Sequence, residues 1–196
     1  MEKCFDKVKI RGLIEADIDD IVRWNTFETK WMTLTHPWYK PEPIDEKAFR
    51  EYLLDLAKNE PMIDFQPEVE YNGVHIGRCR AHLIDGNGKF SVLEDTGVKQ
   101  IYIAFEIFIC ELAYMNEDIY AKATAAYAEY LAGKVNSTIF AQTWSGNEIM
   151  MDACKRVGFS EHCVTVKESD TSDESFEIVT FKLDLDKFAR FKEEYR

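Results

Sequence analysis

Gln100-Ile-Tyr-Ile-Ala-Phe-Glu106-Ile-Phe-Ile-Cys110-Glu-Leu-Ala-Tyr114-Met-Asn-Glu-Asp118 is the stretch that decides the fold of this chain. Residues 101–110 form an apolar run rich in Ile and Phe, the composition of a strand buried on both faces. Downstream, Ile119, Ala123, Ala126, Tyr127, Tyr130 and Leu131 recur at helical spacing, and Gly133 is placed to end that helix. Ile139, Ala141 and Thr143 then alternate with Phe140, Gln142 and Trp144, as in a short strand. Ser145 or Asn147 can cap a further helix that closes at Gly158. A strand, helix and strand of this size mean two parallel strands joined by a right-handed crossover. Ligands of such folds sit at the carboxyl ends of the strands, here near 111–118 and 144–147.

Toward the N-terminus, Val8, Ile10 and Leu13 mark a first strand, and Glu15 to Trp24 a helix carrying Ile18, Ile21 and Val22. Residues 25–44 have no clear period and hold Trp31, His36, Trp38, Tyr39 and three prolines. Such a segment is either a packed connection or a substrate-facing lid, and packing is the simpler reading. Asp45 caps a helix that ends near Asn59-Glu60-Pro61. Met62–Tyr71 and His75–Leu83 read as strands around the hairpin signal Asn72-Gly73. Asp85-Gly86-Asn87-Gly88 is a second turn, and Lys89–Val98 a short strand or an excursion. Beyond Phe159, residues 161–168 and 175–185 alternate as an antiparallel pair, and Lys187–Arg196 is a charged tail with helical character.

At 196 residues the chain is expected to be a single domain, 1–196. Its 46% apolar content excludes disorder, and its net charge of −12 disfavours a nucleic-acid partner. No apolar run is long enough to span a bilayer, and the opening residues lack the apolar centre of a signal peptide. Five cysteines, odd in number and without metal spacing, read as reduced thiols of a cytoplasmic protein. His75 and His82, seven apart on one strand, should face opposite ways, and His36 and His162 have no ligand partner at metal spacing, so no metal is expected. There is no Walker loop, dinucleotide fingerprint or Gly-x-Ser-x-Gly elbow.

The order of these pieces resembles the GNAT superfamily of acyl-CoA-dependent N-acyltransferases, closest to the branch of ribosomal-protein N-terminal acetyltransferases. Ile10-Arg-Gly-Leu-Ile-Glu-Ala-Asp-Ile-Asp-Asp-Ile21 with Trp24-Asn25 resembles that branch's first strand and helix, and Asn72-Gly-Val-His-Ile-Gly77 its hairpin. Asn147, eleven residues before Gly158-Phe159, resembles the asparagine beside the pantetheine arm. The resemblance implies an α/β (α+β) fold with a mixed, mostly antiparallel sheet of six to seven strands and helices on both faces. It implies acetyl-CoA as co-substrate, held by Cys110, Leu112, Ala121, Lys122 and Asn147. The partner it implies is an amine acceptor, a small molecule or a peptide N-terminus, in a groove walled by Trp31, Trp38 and Tyr39; it leaves room for a homodimer and requires neither nucleic acid nor membrane.

The chain departs from the family where the CoA pyrophosphate binds. The usual basic, Gly-rich turn is replaced by residues 114–123, with no glycine between Gly97 and Gly133. Glu117 and Asp118 stand where phosphates would sit, while Asn116 and this acidic first turn also suit a helix that needs no ligand. Glu106 is the candidate base, its pKa raised by burial, unless it pairs with a buried Arg or Tyr. Glu111 is the second candidate. Cys154 stands where many family members carry the Tyr that acts as acid; a thiol could serve, but a buried helical Cys is more often packing. Two functions remain open: acetyl transfer from acetyl-CoA to an amine, or a degenerate GNAT-fold binding or regulatory module without CoA turnover.

Overall fold

The computed structural model describes residues 2–59, 66–91, 101–169 and 172–195. The chain begins with a hairpin, β1 (Lys3–Phe5) and β2 (Val8–Arg11), followed by a 3-10 turn at Glu15–Asp17. Three helices follow: α1 (Ile18–Thr26), α2 (Lys30–Thr35) and α3 (Glu46–Asn59). A second hairpin pairs β3 (Glu68–Tyr71) with β4 (Val74–Ile84). Then come β5 (Tyr102–Ile109), α4 (Glu117–Ala132), β6 (Ile139–Trp144) and α5 (Glu148–Val157). The chain closes with β7 (Phe159–Glu168), β8 (Ser175–Leu183) and α6 (Leu185–Glu193).

Among the described residues, eight strands form one sheet in the order β1-β2-β3-β4-β5-β6-β8-β7. Every neighbouring pair is antiparallel except β5 and β6. The additional strand is β1, whose three residues bury one side chain, Phe5, and so carry no period to read. Other expected boundaries fall close to the observed ones. Asp45 Oδ1 accepts from the N–H groups of Lys47 and Ala48 at the start of α3, at 3.0 and 3.1 Å. Asn72 and Gly73 both take positive φ in the turn of the second hairpin. The parts of the expected strands at Met62–Phe65 and Val92–Val98, the end of α3 at Glu60-Pro61, and Asp170 lie outside the described residues.

Alternation along β5 sorts the two faces. Ile103, Phe105, Ile107 and Ile109 join the main core with α4, α5 and α6. The Phe105 ring meets Tyr127 at 5.1 Å and Phe159 at 5.8 Å, edge to face. Truncating such a ring costs about 3–5 kcal/mol. Phe108 and Cys110 lie on the opposite face, in a second cluster with Ile21, Trp24 and Leu53. The parallel ladder between β5 and β6 holds only Ile103↔Ile139, Ala104↔Phe140 and Phe105↔Ala141. Both strands continue beyond it, so the sheet opens after Phe105 and Ala141. Cys110 directs its N–H to Ile76 on β4. The neighbouring Ile109 N–H therefore points the other way, toward the opening.

A bulge in the second hairpin corrects one sequence expectation. Glu70 pairs with His75 but Val69 pairs with Gly77, leaving Ile76 extra. The shift puts His75 on the same face as His82: His75 packs on Trp24 of α1, with ring centroids 4.6 Å apart, and His82 lies near Glu106. Close approach demands glycine at Gly77, because a Cβ there would stand 2.0 Å from the Phe108 carbonyl oxygen. A buried ion network ties the edge of the sheet to α1. Arg11 donates to both Asp17 oxygens, at 2.6 and 2.8 Å, and to Glu70 at 2.6 Å. His75 lies between Asp20, at 3.3 Å, and Glu68, at 3.1 Å.

Candidate active site

Glu106 is the first residue of β5 beyond the parallel ladder, on the face covered by α1 and α2. Its register partner on β4 is Arg80, which donates to Oε2 from Nη2 at 2.6 Å and from Nε at 3.1 Å. His36, at the end of α2, brings Nε2 to 3.3 Å from Oε1. His82 Nδ1 is 4.0 Å from Oε2. Burial would raise the Glu106 pKa, as the sequence suggested. The His36 ring beside it, then Arg80, with His82 adding to them whenever it is protonated, outweigh burial and lower the pKa from 4.5 to about 2. Glu106 is thus a firmly ionised carboxylate and a weak base: of the two readings the sequence left open, pairing with an arginine is the one observed, through the half-exposed Arg80, and the expected rise is corrected.

Two clefts meet at Arg80 and Trp38. One, of about 450 Å³, has Glu106, His82, Gln142 and Lys89 in its wall. The other, of about 260 Å³, is bounded by Trp31, His36, Tyr39 and Phe108. Trp31 is anchored inward through its Nε1, which donates to the Trp24 carbonyl at 2.9 Å. Trp38 lies between His36, at 5.0 Å, and Phe176, at 5.9 Å, and Tyr39 is exposed. The segment is therefore packed at one end and borders open space at the other.

The remaining residues singled out in the sequence are spread over the end of β5, α4 and α5. Glu111 accepts from Trp24 Nε1 at 2.9 Å and pairs with Arg23, which ties the end of β5 to α1. Cys110 and Cys154 are buried, and burial pushes both thiols above their ordinary range. Leu112 is exposed in a 3-10 turn, and Ala121 is buried on α4. Asn147 caps α5, its Oδ1 3.4 Å from the Met150 N–H. Asn116 caps α4 by accepting from the Ile119 N–H at 3.1 Å. Tyr120, buried in the next turn, hydrogen-bonds the Ile109 backbone where the ladder is missing.

The acidic turn is neutralised from within the chain. Lys122 pairs with Asp118 at 2.6 Å and with Asp6 at 2.8 Å, and Arg156 reaches Asp118 at 3.3 Å. Burial works to raise the Asp118 pKa, but Lys122 and Arg156 hold it below the usual range. Sequence reading did not single out Arg80, His82, His36 or Gln142 for this site. Alternation does put Arg80 and His82 on one face of β4. Their meeting with Glu106 depends on strand register, and that of His36 on a contact 70 positions away, neither of which has a local signal.

No protein-family model matches the sequence, and no curated protein matches it. Solved structures do. A GNAT-family acetyltransferase from Bacillus anthracis is 12% identical, with 93% of this chain and 98% of that one covered and a TM-score of 0.63. A ribosomal-protein-alanine N-acetyltransferase from Brucella melitensis is 14% identical, with coverages of 88% and 97% and a TM-score of 0.59. The fold is that of the GNAT acetyltransferases. A third GNAT-like match, a ribosomal L7/L12 alpha-N-protein acetyltransferase in complex with coenzyme A, is 10% identical, with coverages of 94% and 99% and a TM-score of 0.61.

For the coenzyme A that the resemblance implies, the two ends of the site would differ. Beyond Phe105 and Ala141, β5 and β6 keep unladdered backbone that could meet amide groups of an extended ligand, although Ile109 is already bonded to Tyr120. At the phosphate end, Lys122 and Arg156 are already committed to Asp118, and Glu117 is exposed in the first turn. Among the described residues, no group of three or more His, Cys, Asp and Glu could hold a metal, and no helix is long and apolar enough to cross a membrane.

Proposed function

We propose that the chain is an N-acetyltransferase moving an acetyl group from acetyl-CoA to the amine of a peptide N-terminus or a small molecule. The observation that carries this reading is an ionised carboxylate, Glu106, where the parallel ladder ends and a cleft begins. Acetyl-CoA would supply an activated thioester at that opening. Glu106 attracts the cationic form of the amine, with Trp38 and Tyr39 bordering its path. Asn147 and the free edge of β5 hold the pantetheine arm, with Cys110, Leu112, Ala121 and Lys122 around it. Bringing amine and thioester together in a fixed geometry supplies much of the rate enhancement.

The test is calorimetric titration with acetyl-CoA, followed by thiol-release assays with N-terminal peptides and small amines. Micromolar binding and acceptor-dependent thiol release support the reading. No binding up to millimolar acetyl-CoA sinks it, in favour of a binding or regulatory module. The self-neutralised Asp118 turn is the observation on that module's side.

A further inference from the structure

His82, Gln142, the turn after β4 and β8 form a hydrogen-bonded chain at the wall of the larger cleft. Gln142 Nε2 donates to the Gly88 carbonyl and to Thr180 Oγ1, both at 2.8 Å. Both amide hydrogens are therefore spent, and Oε1 can only accept. The opposite amide orientation would set Oε1 against the Gly88 carbonyl, which has no proton to give. His82 Nε2 lies 2.7 Å from that Oε1 and must be the protonated nitrogen. In the neutral ring, Nδ1 is then left with its lone pair. Nδ1 is 4.0 Å from Glu106 Oε2, an ionised oxygen that has no proton to donate, so the lone pair finds no partner there. Both groups line the same cleft. His36 is placed differently: Nδ1 meets Thr35 Oγ1 at 3.2 Å and Nε2 faces Glu106. Its Nε2 is buried against the carboxylate rather than turned to the cleft.

We propose that His82 is the proton acceptor of this site, set in its Nε2–H tautomer by Gln142 and beside the carboxylate that receives the ammonium. The proposal rests on the acetyltransferase reading. His82 Nδ1 takes one proton from the acceptor ammonium held at Glu106, leaving a neutral amine. The amine nitrogen uses the freed pair to bond the carbonyl carbon of acetyl-CoA. The C–S bond breaks with its electron pair on sulfur, and the nitrogen's second proton goes to that thiolate, giving amide and thiol. His82 returns its proton to water. Gln142 is a positioning residue. The charged groups around His82 are Arg80 on its own strand, Glu106 on β5, Lys89 in the following turn and Lys167 on β7.

The tautomer is testable without acetyl-CoA. Long-range 1H–15N spectra of the labelled free protein, with His82 assigned from H82N, should show Nε2 protonated and Nδ1 bare. Q142M should mix the two tautomers. A neutral His82 protonated on Nδ1 overturns the proposal and leaves the acetyltransferase reading intact. In thiol-release assays, H82N should lower kcat about a hundredfold, leave the acetyl-CoA KM unchanged and remove the low-pH fall of kcat. Wild-type kcat and pH profile in H82N also overturn the proposal alone. A wild-type protein that neither binds acetyl-CoA nor releases thiol from it overturns the acetyltransferase reading, and the role of His82 with it. If H82N does not fold, Q142M carries the kinetic test: unchanged kcat with mixed tautomers counts against the proposal, and a kcat that falls with the Nε2–H population supports it.

Discussion

Arg80 and Glu106 face each other across β4 and β5, and Arg80 places two nitrogens, at 2.6 and 3.1 Å, on the single oxygen Oε2. That one-sided grip leaves Oε1 to His36 and orients the carboxylate along the cleft wall. Arg80 also lies over the Phe108 ring, at 5.7 Å, so the pair is braced from beneath. Strand register thus fixes the Arg80–Glu106 pair, and His36, in the segment after α2, completes the charged centre.

Glu106→Gln keeps the shape and removes the charge. A hydrogen bond to a charged group is worth about 1.5–3 kcal/mol. On the proposed function, kcat/KM for the acceptor should therefore fall about a hundredfold, with the acetyl-CoA KM little changed. Steady-state kinetics with both substrates varied separate the two. Equal loss on both axes, or activity that tracks only the folded fraction, would assign Glu106 to structure alone.

The same carboxylate gives a stability signature. Its folded pKa, about 2, lies below the ordinary value of 4.5. Protonation is therefore harder in the folded state, and the stabilisation is present in full above about pH 4.5. It is lost as pH falls toward 2, and amounts to roughly 3 kcal/mol at most. Urea denaturation between pH 6 and pH 2.5 should show wild type falling toward Glu106→Gln, with the two proteins converging at the acid end. Parallel curves would mean that Glu106 is hydrated and unpaired in solution.

Residues 101–159 were legible because each element there carries a period of its own: the apolar run of β5, the helical spacing of α4 and the cap at Asn147. The hairpin at Asn72-Gly73 was legible for the same local reason. The bulge at Ile76 was not, since one extra residue changes no composition while it turns His75 to the other face. The charge state of Glu106 was also hidden. Burial is visible in an apolar run, but Arg80 and His36 enter only through register and a tertiary contact. The linkage from Gln142 to His82 likewise depends on a pairing remote in sequence, whereas β1, half of a local hairpin, is only too short to show a period.

Arg11 offers a test of the buried network. It is 5% exposed and contacts two carboxylates, Asp17 and Glu70. Removing one member of a buried ion cluster strands the others, at a typical cost of 3–5 kcal/mol. Arg11→Met should lower the unfolding free energy by about that much in urea titration. Adding Asp17→Asn should recover part of the loss, because one stranded charge is gone. A loss below about 1 kcal/mol would show that water reaches the carboxylates once Arg11 is cut back.

Asp118 is the last point of leverage, because it holds two cations, Lys122 and Arg156, beside the first turn of α4. On the proposed function, phosphates of acetyl-CoA must compete with that carboxylate. Two unit charges at about 4–6 Å interact by a few kcal/mol when the effective dielectric is near 20. Asp118→Asn keeps the shape and removes one charge, which releases Arg156 from its carboxylate and leaves Lys122 to Asp6 alone. Acetyl-CoA should then bind about tenfold more tightly, with a steeper loss of affinity on raising salt as the freed charge is screened. Calorimetry at two salt concentrations reads both effects. Unchanged affinity at low salt would place the phosphates away from this turn, and the cations would then belong to the junction of α4, α5 and α6 rather than to a ligand.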